Sequence, residues 1–175
     1  CEYKRPALIR RRDQDYPVRA RKLEPPKYPA GAARIGMQGT VYLVLKIGRD
    51  GKVEEAIAEQ VNLTAVASGA VMSHQRALLA ESAVRAARKW EFEPPTQGEA
   101  AQQSFWSVRV PADFIMVGGE PKYVDWVPYV PGPRQKAPWI DRSASGESPE
   151  ALAGGAPSLL GTPMLRLRTP LSQDG

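Results

Sequence analysis

The stretch TVYLVLKI, residues 40–47, with the Asp50-Gly51 step that follows it, constrains the fold more than any other part of this sequence. Val41, Leu43, Leu45 and Ile47 fall on one face and Tyr42, Val44 and Lys46 on the other, the period of two that marks a strand with one buried face. Asp-Gly is a strong hairpin signal, because both central positions of a tight type I′ turn need positive φ. The chain is therefore predicted to turn back at Asp50-Gly51 and to pair its first strand with KVEEAIAEQV, residues 52–61. Glu and Ala favour helix by intrinsic propensity, so the hairpin has to override the local preference there.

A lone hairpin is marginal in water, so the chain must add strands and cover them. SFWSVRVPADFIMV, residues 104–117, alternates again, with Phe105, Ser107 and Arg109 opposite Trp106, Val108 and Val110. Between the two strand regions, HQRALLAESAVRAARKW, residues 74–90, reads as an amphipathic helix. Leu79, Ala83, Ala87 and Trp90 recur at helical spacing, and Arg85, Arg88 and Lys89 gather where a helix C-terminus favours cations. EFEPP stops that helix, NLTAVASGAVMS, residues 62–73, reads as a connection, and Ala30 to Ile35 offers a short helical turn closed by Gly36 and Gly39. The expected fold is α+β: a small antiparallel three-stranded sheet packed by one long helix, with Trp90 and Phe92 as the large side chains that fill the space between.

At 175 residues and 42% apolar, the chain can bury one ordinary core, with extensions on either side. Residues 1–24 are read as an extended arm, 25–117 as the domain and 118–175 as a tail. Residues 1–22 hold eight basic and three acidic side chains, a surplus of +5 that equals the net charge of the whole chain, so the rest is neutral overall. Such an arm, with Arg10, Arg11 and Arg12 at its centre, suits an anionic lipid surface, a nucleic acid or plain solvent. Tyr3 and Tyr16 are too sparse to stack bases, and no nucleic-acid partner is expected.

Cys1 is the chain's one cysteine, which excludes an internal disulfide and a cysteine-rich zinc site. A lone Cys in first place resembles the mature end of a bacterial lipoprotein, so a lipid on Cys1 is an expectation; an arbitrary boundary is the plain alternative. No run of 18 or more apolar residues is present to span a membrane as a helix. Residues 118–175 contain nine of the seventeen prolines and eight of the fifteen glycines, about 29% of that segment and a composition of the loose kind. Tyr123, Trp126, Tyr129 and Trp139 nevertheless lie in it, interleaved with proline, which suits rings laid on a partner surface or packed back on the parent domain.

Little in the sequence points to catalysis. His74 has no second His or Cys to build a metal site or a nucleophile-base pair. Gly31, Gly36 and Gly39 precede a strand, whereas phosphate-binding glycine loops lead into a helix. Glu54, Glu55 and Glu59, or Glu91 and Glu93, are read as surface-facing rather than as paired catalytic carboxylates. No enzyme activity, cofactor, metal or small-molecule substrate is expected.

YPAGAARIGMQGTVYLVLKIGRDGKV, residues 28–53, and ALLAESAVRAARKWEFEP, residues 77–94, together resemble the C-terminal domain of the TonB family of energy transducers. The first resembles that family's Tyr-Pro opening, Gly-x-Val strand and Asp-Gly turn; the second is similar to its helix and Trp-x-Phe-x-Pro ending. The resemblance covers roughly residues 25–117. It implies a periplasmic domain that pairs an edge strand with a peptide from an outer-membrane receptor, and the last strand, Phe105 to Val117, is then the edge to suspect. A TonB transducer also has a membrane helix and a long Pro-rich spacer ahead of this domain, where the present sequence has 24 residues, and the tail after Val117 lacks a counterpart in the short family domain. A chain that continues out of that strand occupies or blocks the edge.

Two readings follow. In the first, the chain is a non-catalytic structural or accessory subunit on the periplasmic face of a bacterial membrane, anchored by lipid at Cys1. It docks its TonB-like domain on an integral envelope complex, of transport, secretion, respiratory or photosynthetic kind, through Arg10, Arg11, Arg12, Phe105, Trp106, Tyr123, Trp126, Tyr129 and Trp139. In the second, it is a TonB-type transport factor that binds receptor peptides by strand addition.

Overall fold

The computed structural model describes residues 18–116, 128–140, 158–159, 162–163 and 167–171. Strand β1 (Arg19–Lys22) leads through Pro25 and Pro26 to the short helix α1 (Ala30–Arg34), and then come β2 (Gly39–Ile47), β3 (Val53–Leu63) and the long helix α2 (Gly69–Ala87). Strand β4 (Glu91–Glu93), a 3-10 turn at Glu99–Gln102 and β5 (Trp106–Met116) complete the domain. The tail adds β6 (Ser158–Leu159), β7 (Thr162–Pro163) and β8 (Leu167–Leu171).

The hairpin forms as its sequence requires. β2 and β3 run antiparallel from Gly39↔Leu63 to Ile47↔Val53, and Gly51 in the turn has φ +79°, where any side chain is strained. A Cβ on Gly51 would also lie 2.0 Å from the Phe92 carbonyl oxygen, because Phe92 N–H donates to the Gly51 carbonyl at 2.8 Å. That contact ties β4 to the hairpin tip, and β4 in turn pairs antiparallel with β1. The end of the arm is thus a strand, with Val18, Ala20 and Leu23 packed on the domain core.

β5 joins the other side of β2, antiparallel and without a break from Gly39↔Phe114 to Ile47↔Trp106, giving the three-stranded order β3-β2-β5. One face carries Val41, Leu43, Leu45, Ile47, Val108, Val110, Ala112 and Phe114, all buried, and α2 lies over it through Leu79, Ala83 and Ala87. Trp90, 1% exposed, closes the end of that core, and its indole N–H donates to the Glu24 carbonyl at 2.7 Å. The expected α+β sheet and covering helix are both present.

α2 begins at Gly69, five residues before His74, so the expected connection over residues 62–73 is shorter than its sequence suggests. Asn62 and Leu63 finish β3, and Ser68 caps the helix by accepting the Val71 N–H. Small residues at 69–70 hid that start, since they carry little periodic signal.

β3 also contains a bulge. Tyr42 pairs with Gln60 but Leu43 with Ala58, which leaves Glu59 as the extra residue. Ahead of the bulge Ala56 and Ala58 face the core; after it Val61 and Leu63 do. That slip of one residue keeps apolar side chains inward from Ala56 to Leu63, and a second shift between Lys46 and Ile47 pairs Val53 with Ile47 at the start of the 11-residue strand.

Candidate functional site

The described tail lies along both outer edges of the β3-β2-β5 sheet. On the β3 side, Leu63 and Val130 exchange backbone hydrogen bonds at 3.1 and 2.7 Å, and Gln135 N–H donates to the Glu59 carbonyl at 2.7 Å. Gln60 Nε2 donates to the Gly132 carbonyl and Gly132 N–H to Asn62 Oδ1, so side chains reinforce the backbone contacts. Arg76 of α2 reaches over the same edge, donating to the carbonyls of Val61, Val130 and Pro131 at 3.2 to 3.3 Å. Gly132 is required at that crossing: a Cβ there would stand 2.3 Å from the Val61 carbonyl oxygen.

The side of the sheet away from α2 is also buried, and it holds charge. Arg109 of β5 is 3% exposed and Glu59 is 4% exposed. The guanidinium donates to Glu59 through Nε at 2.6 Å and a terminal nitrogen at 3.0 Å. Arg134 of the tail donates to the same carboxylate at 3.0 and 2.9 Å. One buried carboxylate therefore takes two forked cations, an arrangement in which its lone pairs are satisfied and the tail is fixed to β3. Glu59 does not face solvent as its sequence neighbours suggested; the bulge turns it inward, while Glu54 and Glu55 stay exposed and bind Lys46. Val44, 1% exposed, and Asp113, 4% exposed, lie on this side too, and Asp113 accepts from Thr40 Oγ1 at 2.7 Å.

On the β5 side, β6 pairs at Val108↔Leu159, and β8 runs parallel to β5 from Ala112↔Leu167 to Met116↔Leu171. β7 pairs with β6. The strand suspected as the peptide-pairing edge, and expected to be occupied or blocked by a chain continuing out of it, carries the chain's own tail strands.

The residues expected to meet a partner are scattered. Phe105 is half-buried under Lys46, whose Nζ stands 5.0 Å from the ring centroid. Trp106, expected to meet a partner, is instead a core residue: it is 4% exposed and its indole N–H donates to the Ala100 carbonyl at 2.9 Å. Tyr129 is 49% exposed, beside the Val130 bridge. Trp139 is half-buried, and its indole N–H is buried with no hydrogen-bond partner. Cys1, Arg10, Arg11, Arg12, Tyr123 and Trp126 lie outside the described residues. Glu59, Arg76, Gly132 and Arg134 were not singled out as site residues in the sequence; alternation put Arg109 on the face opposite Val108 and Val110 and gave no sign that this second face is buried as well.

Comparison with known proteins gives a consistent picture. Residues 24–61 match the family described as Gram-negative bacterial TonB protein C-terminal. Over 99 residues the chain is 31% identical to Protein TonB of Xanthomonas campestris pv. campestris, covering 57% of this chain and 38% of that protein. It is 33% identical over 89 residues to Protein tonB2 of Pseudomonas aeruginosa, covering 51% of this chain and 28% of that one. The solution structure of the Pseudomonas aeruginosa TonB CTD overlaps 55% of this chain and 82% of its own at 20% identity, with a TM-score of 0.34. The chain thus spans well under half the length of the curated relatives it matches. The match over residues 24–61 and the identities that extend it across the hairpin, helix and closing strand support a TonB family C-terminal domain in this part of the chain.

Proposed function

We propose that the chain is a non-catalytic accessory subunit of the bacterial periplasm, docking its TonB-like domain onto an integral membrane-protein complex of the envelope. One observation carries this reading: both edges of the β3-β2-β5 sheet are engaged by the chain's own tail. Strand addition needs an edge with unpaired backbone groups. A domain with both edges taken binds through surfaces, and exposed Tyr129 is a candidate contact. Lipid at Cys1 and the cations Arg10, Arg11 and Arg12 hold the chain at the membrane in this reading, since stable anchoring takes more than one acyl chain or a chain plus a basic patch. Among the described residues no helix is long and apolar enough to cross a membrane.

The test is recovery of the full chain from native membranes in mild detergent, with a photo-crosslinking residue at Tyr129. The expected result is a stoichiometric integral membrane complex crosslinked at that position, and glyceryl-linked acyl mass on Cys1. Crosslinks solely to outer-membrane receptor peptides would overturn it. That outcome belongs to the second reading, a TonB-type transport factor, which is favoured by the 31% identity to Protein TonB across the domain.

A further inference from the structure

The two ends of the domain differ in chemistry. β2 runs from Gly39 at one end to Ile47 at the other, and the hairpin tip, β4, β1 and the last turn of α2 gather at the Ile47 end. Phe92 bonds to Gly51, Lys52 bridges to Glu91, and Glu91 stands across from Lys22 of β1, so three short stretches form one outer surface there. Ala20 and Phe92 oppose each other and pack on the core. Their neighbours alternate to the outer side, which puts Arg19, Lys22, Glu91 and Glu93 there, and the register shift after Ala20 leaves Arg21 as an extra, exposed residue. Arg88 and Lys89 follow α2 directly and lead into Trp90 and β4, and Arg49 lies in the hairpin turn.

All seven of these Lys and Arg residues are exposed, and four carboxylates share the end with them. Two of the four are engaged: Glu24 pairs with Lys22 at 3.1 Å, and Asp50 Oδ1 accepts the Lys52 backbone N–H at 3.0 Å. The surplus of three is the whole surplus of residues 18–116, whose remaining six basic and six acidic side chains balance. The arm that leads into β1 adds five basic and three acidic side chains over residues 1–18. Among the described residues, the exposed large apolar side chains lie instead at the Gly39 end: Ile35 closes α1, Val66 and Val71 flank the start of α2, and Tyr129 adjoins the Val130 bridge to Leu63. A surface rich in cations and without an exposed ring or large aliphatic group is unlike the core of a protein interface and offers nothing to stack on a base. It suits a plane of phosphates, where each Lys or Arg near the surface raises affinity by about fivefold.

We infer that this end of the folded domain is a lipid-docking surface, laid on anionic phospholipid headgroups by side chains of β1, the hairpin tip and the end of α2. The inference rests on the membrane-held reading proposed above and extends it from the arm to the domain itself. The arm joins the fold at β1, so arm and domain bring their cations to the same leaflet, and the end that carries Tyr129 is turned away from the lipid toward a protein partner. Exposed charges act over about a Debye length, so the contact is direct and is weakened by salt.

The experiment uses the full chain carrying Cys1→Ser, so that no acyl chain contributes, and vesicles of phosphatidylcholine alone or with about one-third phosphatidylglycerol. Sedimentation is expected to show binding to the anionic vesicles only, with release at about 0.5 M salt. Lys52→Gln with Lys89→Gln, which leaves the arm intact, should weaken binding by about tenfold or more. Arg34→Gln with Lys136→Gln removes the same charge from exposed positions away from this end and should change binding by less than about twofold. A polarity-sensitive dye attached through Glu93→Cys should brighten on anionic vesicles, whereas the same dye attached through Val66→Cys should not; this readout needs neither double variant to fold. Equal losses in the two double variants, equal binding to neutral vesicles, brightening at position 66 alone, or tighter binding to polyglutamate than to vesicles overturns the surface. Recovery of the chain without an integral membrane complex leaves these readouts unchanged, and vesicle binding through the arm alone leaves the accessory-subunit reading standing.

Discussion

Arg109 and Glu59 lie on strands separated by β2, yet their side chains meet in a forked pair at 2.6 and 3.0 Å with both residues buried. Removing one member leaves the other charge buried without its main partner, which typically costs about 3–5 kcal/mol. Arg109→Met is therefore expected to lower stability by about that amount, whereas Arg109→Met combined with Glu59→Leu should recover a large part of the loss. Urea denaturation of the parent, the two single variants and the double variant measures the coupling. Additive losses would show that the pair does not act as a unit.

The same pair shows where the sequence is readable. Alternation in residues 40–47 and around Val108 is a local signal, and the sheet follows it strand for strand. It even grouped Trp106 with Val108 and Val110, the face that proves to be core. Glu59 turned inward through a bulge, and a slip of one residue leaves no mark in composition or period. The tail was hidden for another reason. Proline and glycine suggest loose chain, but Gly132 is there because the backbone crosses Val61 too closely for a side chain. Contacts such as Val130 with Leu63, 67 positions apart, have no local signature at all.

Trp90 is held at both ends of its ring system, by the core around it and by the Glu24 carbonyl that accepts its N–H. Trp90→Ala should destabilise the domain by about 3–5 kcal/mol through lost burial and the cavity left behind. Thermal unfolding followed by far-ultraviolet circular dichroism reads this directly. A melting temperature within a degree or two of the parent would remove Trp90 from the core.

Gly132→Ala tests whether the tail is a fixed part of the domain. The added methyl would meet both the Val61 carbonyl oxygen and the Arg76 side chain, so the 130–135 segment has to shift outward. The expected cost is about 1–3 kcal/mol, the usual range for overpacking. Amide exchange at Leu63 and Val130 should accelerate, since each donates to the other's carbonyl. Unchanged protection at both positions would mean that the crossing is looser than its geometry.

Tyr28 links the domain's entry to its core and gives a pH dependence with a defined sign. Its hydroxyl donates to the Met37 carbonyl at 2.7 Å, and its ring stands edge-on to Phe114 with centroids 5.6 Å apart. Burial pushes its pKa up from 10.0 to about 12, because the charged phenolate is poorly solvated there. The unfolded chain thus releases this proton first, so the contribution of Tyr28 to stability is complete below pH 10 and is lost as pH rises through about 12. Near neutral pH, Tyr28→Phe should cost about 0.5–1.5 kcal/mol, the net worth of one hydrogen bond. Between pH 10 and 12 the stability gap between parent and variant should then narrow, with the other tyrosines cancelling because both proteins share them. Urea unfolding midpoints at pH 8, 10 and 11.5 measure the gap, and a gap that stays constant would show that burial does not hold the proton on Tyr28.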